Sequence, residues 1–132
     1  MGSGDITREK VLGIGGFFFR AKDPKALAAW YETQLGINQI PMTEGAEAWT
    51  QQEGPTAFAP FKADTKYFGS PSQQWMINFR VRSLDAMVAQ LRKAAIEVEV
   101  DAERYPNGRF ARLSDPEGNP IQLWEDMPNS AG

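Results

Sequence analysis

The sequence predicts an α+β protein made of two βαβββ modules, and three observations carry that prediction. A strand-then-helix stretch occurs twice: with Gly16-Phe-Phe-Phe-Arg laid ungapped over Met76-Ile-Asn-Phe-Arg, Phe19 falls on Phe79, Arg20 on Arg80, Lys22 on Arg82, Ala26 on Ala86 and Ala29 on Ala89. Repetition at one fixed offset marks a duplicated unit, and two copies suit a paired module rather than a solenoid. Each copy is followed by three short strand-like runs divided by turn compositions. The chain of 132 residues, 42% apolar and 23% charged, is one ordinary globular domain's worth of sequence.

In chain order, residues 1–10 are read as a disordered or cloning-derived tail beginning Met1-Gly-Ser-Gly. Residues 11–21 read as the first strand, loosened by Gly13, Gly15 and Gly16. These glycines precede the strand instead of leading from it into a helix, so they are no dinucleotide fingerprint. Asp23-Pro24 starts a helix, Asp as N-cap and Pro at the first helical position. Leu27, Trp30, Tyr31 and Leu35 form one apolar stripe, a core assignment, and Gly36 stops the helix. Three strands are expected at 37–41, 46–51 and 56–61, and a linker at 64–73. The linker's Tyr67-Phe68 pair is either a hydrophobic clamp on the fold or an aromatic lid on a ligand.

The second half repeats the plan. A strand at 75–81 leads to Ser83 as N-cap and to a stripe of Leu84, Met87, Val88, Leu91 and Ala95. Strands at 97–101, 109–114 and 120–124 are separated by Pro106-Asn-Gly and Asp115-Pro-Glu-Gly-Asn, both strong turn sequences. The domain is thus 11–125, with modules 11–63 and 74–125 and a second tail at 126–132.

Composition excludes several function classes. A net charge of −3 and a pI near 5.0 argue against nucleic acid or an anionic membrane as partner. No apolar run approaches the roughly 18 residues of a membrane helix, and no signal-like pattern opens the chain, so a cytoplasmic location is expected. With no cysteine there is no disulfide framework, thiolate nucleophile or Cys-based zinc site. With no histidine, a His-based triad, an HExxH zinc site and a two-His-one-carboxylate iron site are all excluded.

The doubled module and the ending Asp115-Pro-Glu-Gly-Asn-Pro-Ile-Gln-Leu-Trp-Glu resemble the vicinal oxygen chelate superfamily, which includes glyoxalase I, the bleomycin-resistance proteins and the extradiol dioxygenases. The resemblance runs from about Val11 to Glu125. It implies that the strands curl into a curved, barrel-like mixed sheet with helices on the outside, enclosing a substrate cleft. It also implies a homodimer, since members of this size often build clefts from modules of two chains; pairing within one chain stands as the alternative. The family's metal ligands fall here on Gly16, Met76, Gln122 and a position within 59–62. Gly and Met offer a hard or borderline cation no oxygen or imidazole, and one Gln cannot hold a metal alone. Neither metal nor cofactor is expected.

Alternation along the strands divides their side chains between two faces. The wholly apolar sets belong under the helices. The mixed sets, on the face of the family's ligand positions, line the cleft: Phe18, Arg20, Met76, Asn78, Arg80, Gln122 and Trp124 are the candidate ligand-binding residues. Competing readings stand beside them. Arg20 and Arg80 either favour a carboxylate or phosphate on the ligand or pair with acids at the sheet rim. Phe18 and Trp124 either stack on a ligand or belong to the core. Asn78 and Gln122 either meet a ligand or bond to each other. Arg109 and Arg112, beside Tyr105, read as a solvated strand face. Glu125 is directed away from the cleft, and Tyr105 and Glu47 are possible proton-transfer groups with nothing to single them out.

Four functions remain open: a protein that binds or sequesters a small molecule, a metal-independent lyase or isomerase, a metal-dependent glyoxalase or dioxygenase (disfavoured by the ligand positions), and a regulatory or interaction module. The first fits the missing ligands and needs no ionisable pair.

Overall fold

The computed structural model describes residues 8–39, 45 and 47–126. The ends of both tails, residues 40 and 41 of one predicted strand and residue 46 of another lie outside the described residues. Among those described, the element order is α1 (Pro24–Leu35), β1 (Ile77–Arg80), α2 (Leu84–Lys93), β2 (Glu99–Val100), β3 (Gly108–Ser114) and β4 (Pro120–Asp126).

Both helices begin as their sequences predict. The Asp23 side chain accepts from the Ala26 amide at 3.1 Å, with Pro24 at the first turn, and Ser83 accepts from Ala86 at 3.1 Å. Each cap satisfies one amide that the helix leaves without a partner. Gly36 ends α1 in the left-handed region at φ 75°, which a glycine adopts without steric cost.

The four strands form one open mixed sheet in the order β1-β4-β3-β2. β4 runs parallel to β1 and antiparallel to β3. One face carries Ile77, Phe79, Ala111, Leu113, Ile121 and Leu123, packed with Leu84, Val88 and Leu91 of α2 and Leu27 and Tyr31 of α1. Both helices therefore cover the same side, as expected of the apolar sets, and among the described residues no helix lies on the other face of the sheet.

The first half departs from the expected plan. Among the described residues, 11–21, 47–51 and 56–61 run without regular strand pairing, so the sheet is not closed and has four strands. A ladder needs a partner strand beside every N–H and C=O, and these segments meet the second half through side chains instead. Phe17 and Phe19 pack on Trp75 with ring centres 4.9 and 5.2 Å apart, and Phe19 also meets Tyr31. Trp49 meets Phe79 of β1. Phe17 and Phe19 thus share the helix side, and Phe18, 85% exposed, does not.

The turn after β3 ties the halves together. Asp115, buried, accepts from the Tyr31 hydroxyl of α1 at 2.7 Å and from the Glu117 and Asn119 amides and the Asn119 side chain. Glu117 in turn accepts from the Lys22 and Asp23 amides at 2.7 and 2.9 Å, just ahead of α1. Among the described residues no helix is long and apolar enough to cross a membrane.

Candidate functional site

The helix-free face is built from β1, β4 and β3. Register sets Asn78 opposite Gln122 and Gln122 opposite Arg112, and sets Arg80 opposite Trp124 and Trp124 opposite Phe110. Two rows result. The first is polar: the Asn78 amide nitrogen donates to Gln122 Oε1 at 2.7 Å, and Gln122 Nε2 donates to the Tyr67 hydroxyl at 2.8 Å. Arg112 places its guanidinium carbon 4.3 Å from the centre of the Tyr67 ring and donates through Nη2 to the Tyr67 carbonyl. The linker's Tyr67 therefore lies on the sheet, across Arg112 and Gln122.

The second row is filled by the protein itself. Trp124, only 8% exposed, stacks parallel to Phe110 with centres 6.1 Å apart, and its indole N–H donates to the Asn107 carbonyl at 2.6 Å. Arg80 reaches the Gln52 carbonyl at 2.7 Å. Gly54 lies against the same guanidinium so closely that a Cβ there would collide with it.

Of the seven residues expected to line a cleft, Asn78, Arg80, Gln122 and Trp124 therefore sit together on one face. Met76 borders an open pocket of about 390 Å³ whose walls include Phe61, Lys62, Phe68, Gln73 and Trp75. Phe18 and Arg20 are exposed, and among the described residues neither makes a hydrogen bond, ion pair or ring contact with these rows. Among the described residues Arg80 makes no acid pair; its partner is the Gln52 carbonyl.

Two residues of the polar row, Tyr67 and Arg112, were not among the seven. Arg112 was legible in principle: a hairpin that pairs Ser114 with Pro120 puts Arg112 beside Gln122 and on the same face. Arg109 points the other way and pairs with Asp85 of α2 at 3.2 Å, so the two arginines do not form one solvated face. Glu125 also lies on the helix side, accepting from the Leu84 amide at 2.7 Å, where a carboxylate complements the helix N-terminus. Tyr105 donates to Asp101 at 3.2 Å in the turn ahead of β3.

The metal positions carried over from the resemblance can be examined as donors. Gln122 presents its oxygen to Asn78 and its nitrogen to Tyr67, Met76 and Gly16 supply no hard donor, and among the described residues no three acids lie together as a cation site. This donor set does not suit a divalent cation.

The sequence from 16 to 124 matches the family model described as a glyoxalase-like domain. The chain belongs to the glyoxalase-like family. Solved structures share the fold of this glyoxalase-like domain. The antibiotic binding protein TnmS3 from Streptomyces sp. CB03234 matches with a TM-score of 0.59 at 19% identity, covering 91% of this chain and 100% of that one. Lactoylglutathione lyase from Agrobacterium tumefaciens matches with a TM-score of 0.56 at 19% identity, covering 89% and 96%. No curated protein matches the sequence.

Proposed function

We propose that this glyoxalase-like protein binds and encloses a small aromatic or anionic molecule on the helix-free face of its sheet, without a metal. The observation that carries the reading is the row Asn78–Gln122–Arg112: polar and charged side chains on the helix-free sheet face, with aromatic rings beside and above them. A few placed polar groups among apolar walls is the composition of a small-molecule site. The name of the Streptomyces structure, an antibiotic binding protein, is consistent with small-molecule binding and suggests antibiotics as probes.

The test is a thermal-shift and calorimetric screen of the wild-type protein, purified without a polyhistidine tag and assayed for metal. The panel holds aromatic acids, neutral aromatics, aliphatic acids and antibiotics. Binding by some of the aromatic or anionic members, weakened at least tenfold by Gln122→Ala and independent of chelators, is expected. No hit across the panel, or binding that disappears with a chelator, ends this reading.

The curved, barrel-like closure of the sheet and the homodimer belong to the same proposal. Val11, Leu12, Ile14, Phe18 and Phe58 are exposed on extended segments of the first half, an apolar surface suited to a second copy. Sedimentation equilibrium at micromolar concentration should report a dimer, dissociated by Phe18→Asp with Phe58→Asp; a wild-type monomer removes it.

A further inference from the structure

Tyr67 occupies the face that the proposed ligand would use, and the way it is held describes what that face accepts. Its ring rests on the Arg112 guanidinium, 4.3 Å from centre to charge, an arrangement in which a planar π-system stabilises a cation. Its hydroxyl oxygen receives the Gln122 amide proton at 2.8 Å. The same amide continues the row, its oxygen taking the proton of Asn78 at 2.7 Å. In this arrangement the row presents a donor at the seat of the phenol oxygen, beside the Arg112 guanidinium.

Tyr67 reaches the sheet from a segment outside its strands. It is 36% exposed and belongs to a linker of local turns, with its amide bonded to Thr65 Oγ1 at 3.2 Å and Gly69 bonded back to Lys66 at 3.2 Å. On its outer side it stacks on Phe61, centres 5.9 Å apart. Phe61 is itself a wall of the 390 Å³ pocket. Two stacked rings, Phe61 and then Tyr67, therefore lie between that pocket and the polar row.

We propose that Tyr67 is an internal occupant of the binding site, displaced by an aromatic ring that carries an oxygen acceptor, best an aryl carboxylate or phenolate. The incoming ring stacks on Arg112, its oxygen takes the Gln122 N–H, and it takes the place of Tyr67 beside Phe61. An anionic oxygen outcompetes the neutral tyrosine hydroxyl because a hydrogen bond to a charged acceptor beside a guanidinium is the stronger one. This inference rests on the small-molecule reading above and adds the ligand class and the residue that competes with it.

Calorimetric titration with 2-naphthoate separates the two. Tyr67→Ala should bind 2-naphthoate at least tenfold more tightly than wild type, because no internal contact has to break first. Tyr67→Phe, which keeps the ring and loses the oxygen, should gain about threefold. Adding Arg112→Gln to Tyr67→Ala should abolish the gain, and cyclohexanecarboxylate, an acid without a π-face, should gain less than threefold. Melting temperatures of all variants verify folding, with Tyr67→Phe the least disruptive of them. Equal or weaker 2-naphthoate binding by folded Tyr67→Ala and Tyr67→Phe overturns the proposal, as does a gain that persists without Arg112 or is matched by the aliphatic acid. If wild type still binds members of the wider panel, the small-molecule function survives such a failure; only the role of Tyr67 falls.

Discussion

Asp115 receives four hydrogen bonds, one from the buried Tyr31 hydroxyl and three from its own turn. The tyrosine is the side with more at stake. Burial, then the bond to Asp115 and the negative charge of that carboxylate, raise the Tyr31 pKa well above its ordinary range. A raised pKa means that the folded state favours the neutral phenol. Its contribution is present below the unfolded-state value near pH 10 and is lost as pH rises from there toward the folded value. Tyr31→Phe should therefore cost about 1.5–3 kcal/mol at pH 7, the worth of one buried hydrogen bond to a charged group. In urea unfolding the gap between wild type and variant should narrow above pH 10. A gap unchanged between pH 7 and the alkaline limit would show that the phenol does not titrate with unfolding.

The second helix gathers most of what stabilises its half. Ser83 caps it, Glu125 meets its first amide, and Leu84 and Leu91 are fully buried against the sheet. Ser83→Ala should lower stability by about 1 kcal/mol. Leu91→Ala, which leaves a cavity between helix and sheet, should cost roughly 2–5 kcal/mol. Chemical denaturation with an unchanged m-value would verify both; an effect of Leu91→Ala no larger than that of Ser83→Ala would contradict the packing. The start of β3 is constrained differently. Gly108 has φ 133° and backs onto the Glu125 carbonyl and the Trp124 indole, so any side chain there is strained in backbone and in space. Gly108→Ala should lower the melting temperature and redshift tryptophan emission as Trp124 loses its cover.

Across the molecule, the described residues share no strand ladder between the halves, which meet through the turn at Asp115, an aromatic cluster, core packing and side-chain hydrogen bonds. Glu117 holds the Lys22 and Asp23 amides from across the chain, while Phe17 and Phe19 lean on Trp75. Glu117→Ala should speed hydrogen exchange at Lys22 and Asp23 at least tenfold while amides of β3 and β4 stay protected. Unaltered exchange at those two amides would mean that the carboxylate does not hold the entry to α1.

Much of this was legible in the residues. The caps Asp23 and Ser83, the glycine stop at Gly36 and the stripe of Leu84, Val88 and Leu91 are short-range signals: each depends on neighbours within a turn or two, so their chemistry is written locally. Strand alternation likewise placed Asn78 and Gln122 on one face, where they bond to each other, and directed Glu125 to the opposite one. Pairing and cover are different in kind. Whether an extended segment joins a sheet depends on a partner far away in the chain, which is why residues 11–21 look like β1 in sequence yet lack its ladder. Cover decided the site as well: Trp124 and Arg80 share the polar row's face but are closed over by residues 105–108 and 52–54, and Tyr67 came to rest on Arg112. Local pattern chose the faces; only long-range packing could choose what lies on them.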